Sequence, residues 1–411
     1  MKVLHIAQTD RGGAGEGMLN QHRALLERGV DSKVLVGFKR TNLETVVQTA
    51  PNQYMWGKSC ALQYLQKAAR HFGICLNRYD QYKRKLYLIR SSHWTQYSIP
   101  VTPYDITDHP LVQEADVINL HYVADFLDYE SFFRKMRKPI VWTMRDENPG
   151  LGGFHYTSEK EKFYPYFASL EDEFAAIKNK AIADYEPLHL VALSNKMHDF
   201  FLSNECFAGR PITIIPNAIN ADNFRPQNRT EARKKLGIGE NEAVIAFVSC
   251  SIRDERKGFK DLIMAVQRMQ KEINKPLSVL CVGTNDYEGS LPSNWHFLGR
   301  IDSVDKLSSV YSAADVFASP SYQESFGKTV VEALYCGTPV VSTPVGIAPE
   351  IISERNGALC PIGDVDGLAC ALQNVLTRTY DKDVIRQEAC NMFQPQVVAD
   401  KYIELYQKII L

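Results

Sequence analysis

The sequence has no apolar run long enough to cross a membrane. None of its 411 residues belong to a stretch approaching the roughly 18 consecutive apolar residues of a transmembrane helix. The N-terminal apolar run, residues 1–7, reaches Gln8, Thr9 and Asp10 before a secretory signal could form. We therefore expect this run to be the first β-strand of a cytoplasmic protein.

Paired cysteine motifs are also missing. The nine cysteines are an odd number, and no two of them have the Cys-x-x-Cys spacing of redox and zinc sites. Several lie inside apolar, strand-like runs, as Cys281 does. We expect buried free thiols in a reducing compartment, with metal ligation as the alternative.

Neither sign of charge is in surplus. Lys and Arg total 47 against 48 Asp and Glu, a formal net charge of −1. A protein that binds along a nucleic acid usually carries a basic surplus, so we expect no nucleic-acid partner. Hydrophobic residues make up 45% and charged residues 23%, close to globular averages, which excludes wholesale disorder, collagen and coiled coil.

Short β-branched runs alternate with longer segments of helical periodicity, twice along the chain. Such near-continuous apolar strands separated by helices indicate parallel sheets covered on both faces. The predicted strands are residues 2–7, 32–36, 116–120, 139–144, 189–193, 212–215, 243–248, 277–282, 296–298, 315–318 and 339–342. The clearest predicted helices are 15–28, 259–272, 304–313, 326–336 and 365–376.

This double alternation predicts an α/β protein of two doubly wound domains. We place an N-terminal domain at residues 1–205 and a C-terminal domain at 206–390. Residues 391–411 contain an amphipathic helix that we expect to pack back on the N-terminal domain.

Residues 57–97 depart from the alternation. They hold eight Lys or Arg, seven aromatic residues and a single acid, Asp80. One interpretation is a solvated helical insertion whose aromatic side chains pack on the domain. The other is a surface that meets anionic lipid headgroups or a lipid-diphosphate acceptor.

A strand–loop–helix pattern near residue 320 has the properties of an anion site. We expect a helix to open near Ser325, so that the N–H groups of Ser325, Phe326 and Gly327 attract an anion with help from the helix dipole. Glu332 follows Glu324 by eight residues, about 12 Å along a helix. This separation suits a diphosphate flanked by two sugar rings.

The run Glu324-x7-Glu332, followed by Cys-Gly-Thr-Pro-Val-Val at 336–341, resembles the nucleotide-sugar site of retaining glycosyltransferases of the group 1 (family 4) class. The Lys257-Gly258 pair resembles that family as well. The resemblance is near-continuous over 211–376. It implies the GT-B fold, two Rossmann-like, doubly wound domains facing a cleft, and a reaction without metal or other cofactor. The N-terminal domain would then be the acceptor side and the C-terminal domain would bind the nucleotide sugar.

The resemblance also implies roles for individual residues. Glu332 would hold the ribose hydroxyls, Glu324 the transferred sugar, and Lys257 the diphosphate that leaves as an anion. Backbone N–H groups of Ser325, Phe326 and Gly327 would face the donor.

A second cation is usual in the family, at a position five or six residues before the lysine. Here Ser251 and Ile252 occupy those positions, so Arg253 or Arg256 would substitute.

The glycine loop after the first strand lacks the Gly-x-Gly-x-x-Gly pattern of dinucleotide sites, because Met18 stands at its last position. The family resemblance instead implies that Gly12 and Gly13 touch the donor. Glycine permits the close approach of backbone to a phosphate or sugar.

Arg145-Asp146 stands where a bacterial polysaccharide-transferase subgroup has His-Asp. Arginine can contact sugar or phosphate but cannot act as a base. Asp146 is therefore the candidate to position or deprotonate the acceptor hydroxyl. His121, at the end of another strand, is a second acceptor-side candidate.

Together these features predict a retaining hexosyltransferase that uses a nucleoside-diphosphate sugar. The acceptor would be a glycan or lipid-linked hydroxyl in cell-surface polysaccharide synthesis, and the enzyme would be cytoplasmic with peripheral contact at the inner face of the membrane. The alternatives are a same-fold nucleotide-sugar epimerase and a catalytically inactive sugar-nucleotide-binding protein.

Overall fold

Two parallel sheets organise the chain, as seen in a computed structural model. The structure describes residues 1–50, 77–93, 95–270, 273, 275–284, 287, 289 and 291–410. Unit 1 comprises the described residues of Met1–Leu193, Met197–Ile215 and the C-terminal residues from Ala399. Unit 2 comprises those of Ser194–Lys196 and Pro216–Val398.

The sheet of unit 1 has seven parallel strands in the described residues, in the order β3-β2-β1-β4-β5-β6-β7. The chain order reverses between β1 and β4, as in a Rossmann fold. The strands are β1 Lys2–Thr9, β2 Asp31–Phe38, β3 Val46–Gln48, β4 Val117–Leu120, β5 Ile140–Thr143, β6 Leu188–Ala192 and β7 Ile212–Ile214.

The sheet of unit 2 repeats this arrangement with six described strands, in the order β10-β9-β8-β11-β12-β13. All described pairings are parallel, and the order reverses between β8 and β11. The strands are β8 Ala243–Ser251, β9 Leu277–Thr284, β10 Trp295–Phe297, β11 Val316–Ser319, β12 Val340–Ser342 and β13 Gly357–Leu359.

Helices connect the parallel strands in both units. In chain order the described helices are α1 Gly12–Glu27, α2 Arg78–Arg90, α3 Pro110–Glu114, α4 Tyr129–Lys135, α5 Thr157–Ala183, α6 Asn195–Leu202, α7 Arg229–Leu236, α8 Phe259–Met269, α9 Val304–Ala313, α10 Lys328–Tyr335, α11 Ala348–Ile351, α12 Val365–Thr377, α13 Lys382–Phe393 and α14 Pro395–Ile410. None of them is both long enough and apolar enough to span a bilayer.

Both sheets are covered on their two faces, which explains the continuous apolar strands. Three consecutive residues of β2, Val34 to Val36, have no exposed surface, and neither do Val244 to Ala246 of β8. A strand with one solvent face would alternate apolar and polar residues instead. The predicted fold class, α/β with two Rossmann-like doubly wound units, is confirmed.

All eleven predicted strands are present, and the described residues contain two more. The additions are β3 and β13, three-residue strands at an edge of each sheet. The prediction that a helix opens near Ser325 is wrong. That helix, α10, begins at Lys328 because Gly327 has a left-handed backbone, with φ of 87°.

The structure draws the unit boundaries differently from the predicted ranges. Residues 206–215 lie in unit 1, because β7 pairs with β6 at the edge of its sheet. Residues 391–398 lie in unit 2, where α13 packs against α10. Of the segment 57–97, residues 57–76 and Trp94 fall outside the described residues.

The C-terminal part of α14 packs within unit 1 through buried tyrosines. The hydroxyl of Tyr406 accepts hydrogen bonds from Asn119 Nδ2 at 2.6 Å and Gln21 Nε2 at 3.0 Å. Tyr402 shares a 3.0 Å hydrogen bond with the hydroxyl of Thr143. The last helix therefore contacts α1, β4 and the end of β5.

Candidate functional site

The candidate residues of unit 2 lie at the carboxyl edge of its sheet, beside the reversal of strand order. Residues 252–258 follow β8, and residues 320–327 follow β11. In doubly wound sheets this is the place where ligands bind. The candidate residues of unit 1 occupy the same position in their own sheet, after β1, β4 and β5.

Lys257 and Glu324 form an ion pair in unit 2. The ammonium of Lys257 lies 2.7 Å from Glu324 Oε1, and the Ser321 hydroxyl donates to the same oxygen at 2.9 Å. The lysine side chain is 25% exposed and the glutamate 13%. The structure thus brings together the two residues that the sequence predicted to handle the diphosphate and the sugar.

Gly258 allows these two loops to meet. Its φ is 68°, and a Cβ at this position would lie 1.9 Å from the carbonyl oxygen of Pro320. Beside it, the N–H of Tyr322 donates to the carbonyl of Arg256 at 2.7 Å. In the Lys257-Gly258 pair, the lysine therefore supplies a cation, and the glycine lets the loop of residues 252–258 approach the loop of residues 320–327.

Glu332 lies on α10 and is almost fully buried. Its Oε2 accepts a hydrogen bond from the Tyr311 hydroxyl at 3.0 Å, and its Oε1 lies 3.5 Å from the Lys328 ammonium. Burial, with the Glu332 charge as a further cause, raises the pKa of Tyr311 well above its ordinary value. Because Glu324 precedes the helix, the predicted 12 Å helical spacing between the two glutamates does not apply.

The predicted amide groups of Ser325, Phe326 and Gly327 lie in the loop before α10 rather than in its first turn. The Phe326 carbonyl accepts from Ile347 N at 2.8 Å. Gly346, with φ of 55°, passes so close that a Cβ there would lie 2.5 Å from the same oxygen. The following segment therefore fixes the conformation of this loop.

The two arginines offered as the second cation have different surroundings. The guanidinium of Arg256 is held by Asp254, with contacts of 2.8 and 3.2 Å to the two carboxylate oxygens. Arg253 is exposed, next to the buried side chain of Ile252. An anion that binds Arg256 would compete with Asp254, whereas Arg253 lies on the surface.

The glycine loop of unit 1 follows β1 directly. Gly12 has φ of 75°, and neither Gly12 nor Gly13 would bring a Cβ within 4 Å of another atom. Gly15 differs, because its Cβ would lie 2.6 Å from the backbone of Asp10. Packing of α1 on β1 thus explains Gly15, while Gly13 faces open space with an ordinary backbone.

Arg145 and His121 form part of a buried polar network. Arg145 Nη2 lies 2.9 Å from His121 Nδ1, and His121 Nε2 lies 2.8 Å from His5 Nδ1. Burial lowers the pKa of both histidines well below the ordinary value, and that of Arg145 to about 10. Arg145 remains charged at neutral pH, and both imidazoles are neutral there.

Asp146 is held by an imidazole and by the backbone. Its Oδ2 lies 2.6 Å from His155 Nδ1, and its Oδ1 accepts from Asn148 N at 3.1 Å. The Asp146 side chain is 10% exposed, whereas His155 has no exposed surface. Asp146 is therefore held in a defined orientation, with a small part of its side chain exposed.

The loop that carries Asp146 and His155 is fastened to α5 by two buried charged residues. The Glu171 carboxylate accepts from Gly152 N at 2.8 Å and from Gly153 N at 2.7 Å. The Lys178 ammonium donates to the carbonyls of Asn148 and Leu151, at 2.6 and 2.9 Å. A Cβ on Gly152 would lie 2.1 Å from the Glu171 carbonyl, so glycine is required for this approach.

Several of these residues were not predicted from the sequence. Glu171 and Lys178 lie on the apolar stripe of α5, alongside Phe167, Leu170 and Phe174. The stripe position indicates that these two charged residues are buried. Because charged side chains are rarely fully buried unless they are paired, each of them could have been expected to have a partner. Their partners include backbone groups of a distant loop, which no local pattern indicates.

Comparison with known proteins identifies a family in unit 2. Residues 242–378 match the family described as Glycosyl transferases group 1. The chain is 31% identical over 214 residues to the D-inositol 3-phosphate glycosyltransferase of Segniliparus rotundus. That match covers 44% of this chain and spans 46% of the relative's length. The resemblance predicted from the motifs is confirmed.

Solved structures share the whole fold at low sequence identity. Sucrose-phosphate synthase from Thermosynechococcus elongatus has a TM-score of 0.65 at 18% identity, covering 100% of this chain and 99% of the other. The Anabaena protein HepE in complex with UDP has a TM-score of 0.64 at 17% identity, covering 99% and 100%. The predicted GT-B fold is confirmed by these neighbours.

Proposed function

We propose that this chain, whose residues 242–378 match the family described as Glycosyl transferases group 1, is a retaining glycosyltransferase. It moves a hexose-type sugar from a nucleoside-diphosphate sugar to an acceptor hydroxyl. The observation that carries the proposal is the Lys257–Glu324 pair, 2.7 Å apart at the carboxyl edge of the unit 2 sheet. UDP in the similarly folded Anabaena protein supports testing UDP-sugars first.

Lys257 supplies the positive charge that the leaving diphosphate needs. An ammonium has three donors, so Lys257 can bind a phosphate oxygen while it remains paired with Glu324. A fixed cation at this point stabilises the negative charge that develops in the transition state. On this basis the reaction is metal-independent, and a chelator should leave the rate unchanged.

The two glutamates bind hydroxyl groups of the donor. Glu324 accepts hydrogen bonds from the transferred sugar, and Glu332 from the ribose. Tyr311 supports the second role, because its hydroxyl occupies Glu332 Oε2 and so orients the carboxylate. An ionised carboxylate has several acceptor positions, which leaves Glu332 able to bind ribose as well.

The test is a transfer assay with Lys257→Ala and Glu324→Gln. We expect each substitution to lower kcat by about 100-fold or more, the size typical of lost transition-state electrostatics. Lys260→Ala is the matched control, since Lys260 is nearby and 74% exposed. Undiminished transfer in both site variants, with folding checked by circular dichroism, would contradict the assignment.

Product analysis separates this function from its rivals. NMR of the product should show the anomeric configuration of the donor, and inversion would refute the retaining claim. An epimerase would isomerise the donor without any acceptor. An inactive binding protein would bind UDP or its sugars and transfer nothing.

We assign the acceptor to the glycan or lipid-linked class of cell-surface polysaccharide synthesis. Support comes from the outer face of α2, where Tyr87 is 73% and Leu88 63% exposed. Lys83, Arg84 and Lys85 are exposed beside them. Basic residues around exposed apolar side chains fit a helix that lies on an anionic membrane surface. This face supports a cytoplasmic enzyme with peripheral contact at the membrane's inner face.

Vesicle sedimentation tests the membrane contact. The chain should sediment with vesicles of phosphatidylglycerol and phosphatidylcholine at low salt, and replacement of Lys83, Arg84 and Lys85 by glutamine should abolish this. The control replaces three exposed lysines of unit 2, Lys234, Lys235 and Lys306. Equal sedimentation of both triple variants would contradict a role for α2.

A small-molecule acceptor is the second candidate, because the Segniliparus rotundus relative is a D-inositol 3-phosphate glycosyltransferase. Transfer to inositol phosphate but to no glycan or lipid-linked acceptor would favour it.

A further inference from the structure

Four side chains of unit 1 form one chain of hydrogen bonds that begins at Asp146. Asp146 Oδ2 lies 2.6 Å from His155 Nδ1, and His155 Nε2 lies 2.8 Å from the Ser98 hydroxyl. Ser98 Oγ in turn lies 3.0 Å from Asp125 Oδ2. A carboxylate therefore stands at each end, with an imidazole and a hydroxyl between them.

The surrounding structure fixes the members of this chain. His155 has no exposed surface and Ser98 is 4% exposed. The ring of Tyr122 stacks on His155, with ring centres 5.5 Å apart. Asp125 has φ of 55°, the only positive φ among described residues other than glycine, and its Oδ1 accepts from Ile99 N at 2.7 Å. The hydrogen-bond partners of His155 are thus held in place.

Counting protons shows what the three contacts of this hydrogen-bond chain require. Ser98 has one hydroxyl proton, and donating it to Asp125 leaves Ser98 Oγ as the acceptor for His155 Nε2–H. The remaining contact, between His155 Nδ1 and Asp146 Oδ2, also needs one proton. The neutral imidazole and the hydroxyl supply two protons, and three bonds need three. All three hydrogen bonds therefore form only when the four side chains together hold one proton more than in the state with two ionised carboxylates and a neutral imidazole.

Two basic groups and a phenol face this chain from other elements. Lys178 of α5 acts electrostatically on both Asp146 and Asp125, and Arg90 at the end of α2 acts on Asp125. The Tyr122 hydroxyl accepts from Gln96 and carries no charge at neutral pH, because burial raises its pKa. Two positively charged side chains therefore act on the carboxylate ends of this hydrogen-bond chain.

We propose that Asp125, Ser98 and His155 form a proton-sharing relay that positions Asp146 for the acceptor hydroxyl. Asp125 sets the direction of the Ser98 hydroxyl, which keeps a proton on His155 Nε2, and the second shared proton fixes Asp146 Oδ2. The other lone pairs of Asp146 stay available to a hydroxyl group. The last step rests on the proposed function, whereas the protonation of His155 does not.

Nitrogen NMR of selectively labelled histidine tests the relay without any substrate. Protonated and unprotonated ring nitrogens give well-separated signals, and His155→Gln identifies those of His155. We expect His155 Nε2 to be protonated at neutral pH. An unprotonated Nε2 would overturn the relay, whatever the enzyme assays show.

Asp125→Asn should reverse the direction of the hydrogen bond between Ser98 and His155. Asparagine tolerates a positive φ, and its single oxygen must accept from Ile99 N, so its NH2 group faces Ser98. The Ser98 hydroxyl must then donate to His155, and His155 Nε2 loses its proton. Asp199→Asn, at an exposed aspartate 3.1 Å from the half-buried His198, is the matched control and should leave the His155 signals unchanged.

The kinetic readout connects the relay to Asp146. Asp125→Asn should lower kcat about tenfold while the KM for the donor stays constant, and Ser98→Ala should behave alike. If Asp125→Asn removes the proton from His155 Nε2 but leaves kcat unchanged, the positioning role is overturned. If His155 Nε2 is protonated but the protein transfers no sugar, the proposed function is contradicted and the protonation of His155 is not.

Discussion

At the scale of single residues, the candidate site of unit 2 depends on one close backbone approach. Gly258 has φ of 68°, and Gly237, at the end of α7, has φ of 71°. Their surroundings differ, because a Cβ on Gly258 would lie 1.9 Å from a carbonyl oxygen, while nothing lies within 4 Å of one on Gly237. Identical substitutions at these positions separate the effect of backbone conformation from that of crowding.

We expect Gly237→Ala to lower the free energy of unfolding of unit 2 by about 1 kcal/mol, the cost of a left-handed backbone with a side chain. Gly258→Ala should cost at least about twice that, because the Pro320 carbonyl must also move. Urea denaturation followed by circular dichroism measures both. Equal losses of unfolding free energy in the two variants would show that the loops of Gly258 and Pro320 can move apart without cost.

The residue scale also shows what the sequence could predict of the site. Lys257, Glu324 and Glu332 stand in a recognisable motif, and the structure pairs the first two. The link from His155 to Ser98 and on to Asp125 could not be found in this way, because these two residues lie 57 and 30 positions earlier in the sequence. Such contacts depend on how distant loops meet, which spacing along the chain does not encode.

At the scale of elements, α14 is attached to unit 1 by unequal hydrogen bonds. The Tyr406 hydroxyl satisfies two buried amide donors, those of Asn119 and Gln21. The Tyr402 hydroxyl shares one bond with Thr143, whose hydroxyl also donates to Asn119 Oδ1 at 3.0 Å. Loss of Tyr406 therefore leaves two groups without their partner, and loss of Tyr402 leaves none.

Tyr406→Phe should lower the free energy of unfolding of unit 1 by roughly 2–6 kcal/mol, since each of the two unsatisfied buried donors costs roughly 1–3 kcal/mol. Tyr402→Phe should cost about 1 kcal/mol or less, the net value of one hydrogen bond. Urea denaturation of the two variants makes the comparison. A larger loss for Tyr402→Phe would mean that α14 is held in another way.

Elements with a long apolar pattern were predictable, and elements made by their neighbours were not. Strands such as β8 and β9 are continuous apolar runs, and the structure contains both. The edge strands β3 and β13 have three residues each, too few to show a period. They become strands because a neighbouring strand offers hydrogen-bonding groups, which is information that the local sequence does not contain.

At the scale of the whole molecule, the net charge of −1 conceals an uneven distribution. Basic side chains are exposed on the outer face of α2, while single cations such as Lys257 and Arg145 lie inside the candidate sites. Lys178 is the extreme case, a buried ammonium with backbone carbonyls as acceptors. A charge in such a place affects the stability of the molecule through pH.

Burial lowers the pKa of Lys178 from 10.5 to about 8. Below pH 8 both the folded and the unfolded chain bind its proton, so its contribution to stability is constant there. Between pH 8 and 10.5 the unfolded chain holds this proton more often than the folded chain does. The Lys178 contribution to the free energy of unfolding therefore rises with pH across this window, by at most about 1.4 kcal/mol per pH unit.

Lys178→Met removes this titrating group and should remove its part of the pH dependence. The measurement is urea denaturation of both proteins from pH 7 to 10.5, and the difference between their free energies of unfolding cancels the groups that they share. We expect the free energy of unfolding of the native chain, minus that of Lys178→Met, to increase as the pH rises. A constant difference would show that Lys178 keeps an ordinary affinity for its proton, because its contacts with two backbone carbonyls and Asn148 Oδ1 compensate for burial. A shrinking difference would show that the folded chain binds this proton more tightly than the unfolded chain does.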